Sequence, residues 1–217
     1  GGNANSATGT YTTVRGGSGN VAGAENQVSV AGGYGNFASA FGSSIGGGST
    51  NSALGDQSRV AGGSTNSVGN NYATVDGGAS NSVGAIYVSV GGGTNNLGTG
   101  YAAAVLGGGY NDVVGAYSTV VGGYSNTIDS GSDYNVIVGG YDNAVTSSDY
   151  GAIGGGSSNI VDSCSYSSVG GGMDNTVYGA SYSTITSGSS NYIDADGGEG
   201  ITIAGKFQIV HQFTSFY

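Results

Sequence analysis

Residues 60–68 read Val-Ala-Gly-Gly-Ser-Thr-Asn-Ser-Val, and residues 75–83 repeat the pattern as Val-Asp-Gly-Gly-Ala-Ser-Asn-Ser-Val. The shared unit is an apolar residue, a variable residue, Gly-Gly, two variable residues, Asn, a variable residue and a second apolar residue. A fixed short period of this kind predicts one structural coil stacked many times. The Asn recurs at steps of 15 or 16 residues, with one step of 17, at Asn5, Asn20, Asn36, Asn51, Asn66, Asn81, Asn96, Asn111, Asn126, Asn143, Asn159, Asn175 and Asn191.

The first apolar column of the repeat is β-branched throughout. Such side chains are stiff at their first torsion and pack well on a pleated surface, so the column predicts strands. Its members are Val14, Val30, Ile45, Val60, Val75, Val90, Val105, Val120, Ile137, Ile153, Val169 and Ile185.

The second apolar column, two residues after the Asn, also predicts a strand. It holds Ala7, Ala22, Ala38, Ala53, Val68, Val83, Val113, Ile128, Val145, Val161, Val177 and Ile193. Gly98 breaks this column, and we expect Leu97 beside it to compensate. We therefore predict an all-β fold, a parallel β-solenoid (β-roll) of about thirteen coils of 15–16 residues.

The asparagine column predicts a ladder of buried amides. An Asn at a corner can hydrogen-bond the backbone of its own turn and the Asn of the neighbouring coils. The alternative is that Asn only tolerates a left-handed corner. Forty-eight glycines and no proline fit a stack of tight corners whose strands all need their N–H groups.

A column of tyrosines stands three residues before the β-branched column, facing outward or lying at a corner. Stacked rings would stiffen the coil, whereas an open aromatic strip would serve sugars or lateral adhesion; we favour the stiffening ladder. The hydroxyl-rich row just before the β-branched column could also match ice, but Ser, Arg and Val interrupt it. The tyrosines are Tyr11, Tyr72, Tyr87, Tyr117, Tyr134, Tyr150, Tyr166 and Tyr182.

The composition argues against several classes of function. The net charge is −10 with three basic residues, Arg15, Arg59 and Lys206, so we expect no nucleic-acid partner. No apolar run is long enough for a membrane-spanning helix, so we expect no membrane insertion. We also expect the sequence to be a segment of a longer protein.

No catalytic residue, metal ligand or cofactor is expected. The single histidine, His211, lies in an aromatic tail, and the single cysteine, Cys164, is expected to be a small residue of a return segment. The stretch 200–206 resembles the start of a phosphate-binding loop, but Phe207 stands where a Ser or Thr would coordinate magnesium. No cluster has the spacing of a zinc site.

The last part of the chain departs from the repeat. We assign residues 1–193 to the solenoid and residues 194–217 to a C-terminal cap or inter-subunit docking tail. Its apolar residues would either cap the last coil or add as a strand to the first coil of another subunit. They are Ile201, Ile203, Phe207, Ile209, Phe213 and Phe216.

The repeat resembles the head repeats of trimeric autotransporter adhesins, and similar repeats occur in phage and viral tail fibres. The resemblance covers residues 1–193 and is carried by the stretches 66–69 (Asn-Ser-Val-Gly), 81–84 (Asn-Ser-Val-Gly) and 117–123 (Tyr-Ser-Thr-Val-Val-Gly-Gly). It implies a left-handed parallel β-roll, with three rolls packed as a trimer at the tip of a surface fibre. Gly-Gly stands here where the family more often has Ile-Gly.

These observations lead to two hypotheses on function. The first is a non-enzymatic extracellular fibre segment, the adhesive or surface-recognition head of a bacterial or viral appendage. The second is a structural subunit that polymerises end to end into an extracellular filament through its C-terminal tail. The expected partners are other copies of the chain, as a homo-oligomer or filament, and a host surface or glycan.

Overall fold

The structure, a computed structural model, describes residues 1–195 and 199–211. Strands of two or three residues alternate between two parallel sheets, and no helix is present in these two ranges. The predicted all-β parallel β-solenoid of about thirteen coils is confirmed. The chain divides into two compact units, residues 1–108 and residues 109–217.

The first unit carries fourteen strands. Odd-numbered strands pair in parallel with one another, and so do the even-numbered ones. The strands are β1 (Ser6–Ala7), β2 (Thr13–Val14), β3 (Val21–Ala22), β4 (Ser29–Val30), β5 (Phe37–Ala38), β6 (Ser44–Ile45), β7 (Ser52–Ala53), β8 (Arg59–Val60), β9 (Ser67–Val68), β10 (Thr74–Val75), β11 (Ser82–Val83), β12 (Ser89–Val90), β13 (Leu97–Gly98) and β14 (Ala104–Val105).

The described part of the second unit carries thirteen strands with the same alternation. Each pairs in parallel with the strand one coil on. The strands are β15 (Asp112–Val113), β16 (Thr119–Val120), β17 (Thr127–Ile128), β18 (Val136–Ile137), β19 (Ala144–Thr146), β20 (Ala152–Ile153), β21 (Ile160–Asp162), β22 (Ser168–Val169), β23 (Thr176–Tyr178), β24 (Thr184–Ile185), β25 (Tyr192–Asp194), β26 (Thr202–Ile203) and β27 (Ile209–His211).

Both apolar columns point inward and form the core. Their members from the second coil onward are fully buried, whereas in the first coil Val14 is half-buried and Ala7 is exposed. The equal register of every pairing places like residues on one another, as in Val75 on Val90. Because each column repeats one side chain, the core packs identically from coil to coil.

The expectation that Leu97 compensates for Gly98 is wrong. Leu97 lies on the outward row, in register with Ser82, so its side chain does not enter the core. Val88 fills the space instead, since a Cβ on Gly98 would stand 2.5 Å from Val88 Cγ1.

The coil continues past residue 193, where the sequence analysis expects the repeat to end. Strand β26 pairs with β24, which sets Ile203 on Ile185, and β27 pairs with β25, which sets Val210 on Ile193. The main-chain N–H of Gln208 donates to Asn191 Oδ1 at 3.0 Å, as an Asn of the ladder would. The columns persist because a Gln can fill the Asn position through its backbone alone.

Candidate binding surfaces

The asparagine column forms a continuous hydrogen-bonded ladder within each unit. Asn159 Nδ2 donates to the carbonyls of Gly155 and Gly172 and to Asn143 Oδ1, each at 3.0 Å. Asn159 Oδ1 accepts the main-chain N–H of Asn175 at 3.1 Å and its Nδ2–H at 2.9 Å. Each amide therefore joins its own corner to the coils on both sides, which keeps buried polar groups paired.

The other members of the column lie in equivalent places. Every one from Asn20 onward is fully buried, and Asn5 in the first coil is half-buried. Asn5 Nδ2 donates to the carbonyls of Gly1 and Gly17, and its Oδ1 accepts from Asn20. The ladder is thus an internal structural device, and none of its amides from Asn20 onward is open to a ligand.

A third inward column escaped the sequence analysis. It lies two residues before the β-branched column and is buried at Val28, Ser58, Val88 and Asn135, among others. Its mixture of apolar, hydroxyl and amide side chains hides it from a search for apolar periodicity. The available signal was its parity, because it shares a face with the β-branched column.

The polar members of this column bond to neighbouring coils in the second unit. Ser118 Oγ donates to the carbonyl of Ser132, and Ser118 Oγ accepts the N–H of Asn135. In the first unit the buried hydroxyls of Ser43 and Ser58 have no hydrogen-bond partner within the described ranges. The third column is therefore better satisfied in the second unit than in the first.

The tyrosine column lies at a left-handed corner of the coil. Its φ values run from 55° at Tyr117 and Tyr150 to 62° at Tyr87, so the side chains emerge at the edge of the sheet. In the second unit the rings of Tyr117, Tyr134, Tyr150, Tyr166 and Tyr182 stack with centroids 4.7–5.0 Å apart and planes within 5° of parallel. We call these five residues the tyrosine ladder.

The tyrosine ladder exposes ring edges and hydroxyls while each inner ring covers the faces of its neighbours. About half of each side chain is in contact with solvent. Desolvation, followed by the nearby phenols of Tyr117 and Tyr150 and the carboxylates of Asp133 and Asp149, raises the pKa of Tyr134. The phenol therefore stays protonated and uncharged at neutral pH.

The tyrosine column in the first unit is shorter. Tyr72 stacks on Tyr87 at 5.2 Å, and Tyr101 meets Tyr87 edge-on at 5.7 Å. Tyr11 is 82% exposed. The sequence analysis missed a further pair in the second unit, Tyr124 and Tyr141, which stack at 5.8 Å two residues before the asparagine ladder.

The apolar residues of the C-terminal segment are only partly buried. Ile203 lies in the core and Ile201 is half-buried, whereas Phe207 is 72% and Ile209 is 59% exposed. Phe213 and Phe216, which the sequence analysis assigns to the docking tail, lie outside the described residues.

The two residues with nucleophile or base chemistry lie apart from each other. Cys164 is buried, and that burial raises the pKa of its thiol, so it stays protonated. His211 Nδ1 lies 3.3 Å from Asp194 Oδ2 at the exposed outer face of β27. Within residues 1–195 and 199–211, no three His, Cys, Asp or Glu side chains come close enough together to hold a metal ion.

A scan against protein-family models finds no match to this chain, and a search of curated proteins finds none either. In the two described ranges, no helix is long and apolar enough to cross a membrane. The functional argument therefore starts from the surfaces described above.

Proposed function

We propose that this chain is a non-enzymatic segment of an extracellular fibre, the adhesive or surface-recognition head of a bacterial or viral appendage. The observation that supports this function is the tyrosine ladder, an outward row of amphipathic side chains held at fixed spacing by a coil whose own polar groups are paired inside. Tyr is well suited to such contacts because it combines an apolar ring with a polar tip. The proposed partners are other copies of the chain and a host surface or glycan.

An adhesion assay tests this function. Beads coated with the wild-type chain and beads coated with the Tyr134→Gln/Tyr150→Gln/Tyr166→Gln variant are compared on a panel of cell and glycan surfaces. The matched control is Tyr11→Gln, which alters a corner tyrosine outside the ladder. We expect the triple variant to lose most of the adhesion and the control to keep it. Equal adhesion of wild type and triple variant, or no adhesion by either, would contradict the proposal.

A second candidate function is a structural subunit that polymerises end to end through residues 194–217. It is supported by the exposure of Phe207 and Ile209 beside strands that are the last of their sheets in the described ranges. A sheet edge of this kind can accept a further strand.

Deletion of residues 200–217 separates the two candidates. Electron microscopy of the purified full-length chain shows filaments if the tail joins subunits, and discrete particles if it only caps the coil. Loss of filaments with an unchanged circular-dichroism melt supports polymerisation. Unfolding of the deletion variant, or assembly that does not change, assigns the tail to the coil itself.

A further inference from the structure

Two of the three basic residues of the chain line one cleft. This cleft, of about 210 Å³, lies on the outward face of β2, β4, β6 and β8 in the first unit, with Arg15 and Arg59 in its wall. Elsewhere on this face the equivalent positions hold small, hydroxyl or apolar residues, with Asp76 as the single acid. In a chain of net charge −10, the convergence of both arginines on one cleft is a specific feature.

The register of the strands explains how the cleft forms. One outward row runs through Thr13, Ser29, Ser44 and Arg59, each paired with the next. A second row, two residues further along each coil, begins with Arg15 and continues through small residues that leave a depression between the arginines. The two arginines stand three coils apart, or about 14 Å along the sheet at ~4.8 Å per strand.

The cleft presents side-chain groups and no spare backbone. The N–H of Arg15 donates to the carbonyl of Val30, and the N–H of Gly46 donates to that of Val60, so the main chain here is committed to the sheet. An extended peptide would find no strand edge to pair with on this face. A ligand for the cleft must bind through the two guanidinium groups and the hydroxyls of Thr13, Ser29 and Ser44.

Both guanidinium groups are open to an anion. Each arginine is exposed, and no carboxylate within residues 1–195 and 199–211 forms an ion pair with either. The planar fork of Arg matches a carboxylate with two parallel hydrogen bonds. The rest of the molecule is strongly acidic, so a long polyanion would be repelled while a short one is accepted.

We propose that this cleft binds a short acidic oligosaccharide, with one sugar carboxylate at each arginine and the sugar hydroxyls on the Thr13–Ser29–Ser44 row. Carboxylates and hydroxyls are the two groups that the lining recognises, and a uronic acid carries both. The inference names a ligand class for the adhesive function proposed above and in that respect rests on it.

Titration calorimetry at low salt with a tetramer of galacturonic acid tests the proposal on the full chain. The fully methyl-esterified tetramer, which has the same hydroxyls and no charge, is the matched ligand. Arg15→Gln and Arg59→Gln should each weaken binding of the acid at least about tenfold. Lys206→Gln, which removes the third positive charge outside the cleft, should leave the affinity within about twofold.

Equal binding of the acid and its ester, or equal losses in the Lys206→Gln and arginine variants, would overturn the proposal. Circular-dichroism melts of all variants identify any loss that comes from unfolding. Bead adhesion is measured in parallel. If wild-type beads adhere but the tetramer does not bind, the cleft proposal fails and the adhesive function stands; if the tetramer binds but the beads do not adhere, the reverse holds.

Discussion

At the scale of the single residue, the second glycine of each Gly-Gly pair carries the tightest constraint. Gly78 has φ of +84°, and a Cβ on it would collide with the carbonyl oxygen of Gly93 and stand 2.7 Å from Asn81 Nδ2. A Cβ on Gly77 would meet nothing within 4 Å. The chain reflects this difference, since Ser187 replaces the first glycine of one pair while the second position is always Gly.

Substitution of the two glycines of one pair should therefore have unequal effects. Gly78→Ala should lower the free energy of unfolding by more than about 3 kcal/mol, because strain at positive φ adds to a clash between two coils. Gly77→Ala should change it by less than about 1 kcal/mol. Urea denaturation of both variants measures the difference, and similar losses in the two would contradict this reading.

Asp112 is a residue whose environment does not favour its charge. It lies on the outward row of β15, its Oδ1 is buried with no hydrogen-bond partner within the described ranges, and burial raises its pKa. A carboxyl with a raised pKa in the folded state binds its proton more tightly there than in the unfolded chain. Its contribution to stability is therefore most favourable below the ordinary Asp pKa and declines as pH rises through the raised value.

Asp112→Asn should therefore stabilise the protein at pH 7. The gain in unfolding free energy should stay under about 1 kcal/mol, because solvent screens a partly exposed carboxylate. The gain should shrink toward zero at pH 3, where Asp112 is protonated in both states. Denaturation at the two pH values checks this, with exposed Asp174→Asn as the control. A gain that is larger at pH 3 than at pH 7 would show the opposite sign.

At the scale of the element, each ladder couples neighbouring coils through side chains. The asparagine ladder links coils by hydrogen bonds inside, and the tyrosine ladder links them by stacked rings outside. Strands of two or three residues provide few main-chain bonds per coil. The ladders therefore supply much of the cohesion that longer strands provide in other sheets.

Asn159→Ala should destabilise the second unit strongly. It leaves the main-chain N–H of Asn175 and the carbonyls of Gly155 and Gly172 without their amide partner in a buried site. We expect a loss of at least about 2 kcal/mol in the free energy of unfolding. Asn26→Ala, at an exposed asparagine outside the ladder, should change it by less than about 0.5 kcal/mol. Equal effects would show that the ladder adds nothing.

Tyr150→Gln interrupts the tyrosine ladder at its middle ring. Two stacked contacts are lost, which should lower the free energy of unfolding by about 1–2 kcal/mol. Gln already occupies this left-handed corner in other coils, at Gln27 and Gln57, so backbone strain is not added. The control Tyr11→Gln should lie within about 0.5 kcal/mol of wild type. Thermal melts compare the two, and a loss in Tyr11→Gln as large as that in Tyr150→Gln would contradict the stacking argument.

At the scale of the whole molecule, the charge is distributed unequally between the two units. Residues 1–108 hold three acids and two arginines, for a net charge of −1, and residues 109–217 hold ten acids and one lysine, for −9, which together make the −10 of the chain. Small side chains such as Gly, Ala and Ser bury little apolar area per residue. A partner chain that covers one outward face would supply the missing area.

We therefore predict that the chain associates in solution. Sedimentation velocity should show oligomers whose fraction rises with protein concentration, and the melting temperature should rise with it. Raising the salt concentration from 50 mM to 500 mM should promote association by screening the acidic units from each other. A monomer at all concentrations, with a high and concentration-independent melting temperature, would rule this out.

The sequence by itself determined the strands, the period and the inward asparagines, because each coil repeats the same short-range constraints. A β-branched residue before Gly-Gly and an Asn four places after its first Gly carry that information in every coil.

Only the tertiary structure decided which way the unpatterned residues face. Val88 rather than Leu97 fills the gap at Gly98, Gln208 extends the asparagine ladder by its backbone, and the tyrosines turn their faces to one another. The cleft between Arg15 and Arg59 also exists only after three coils are stacked, since residues 44 positions apart in the sequence meet through strand register. These features depend on the path of the chain through left-handed corners, and a period read along the sequence does not contain that path.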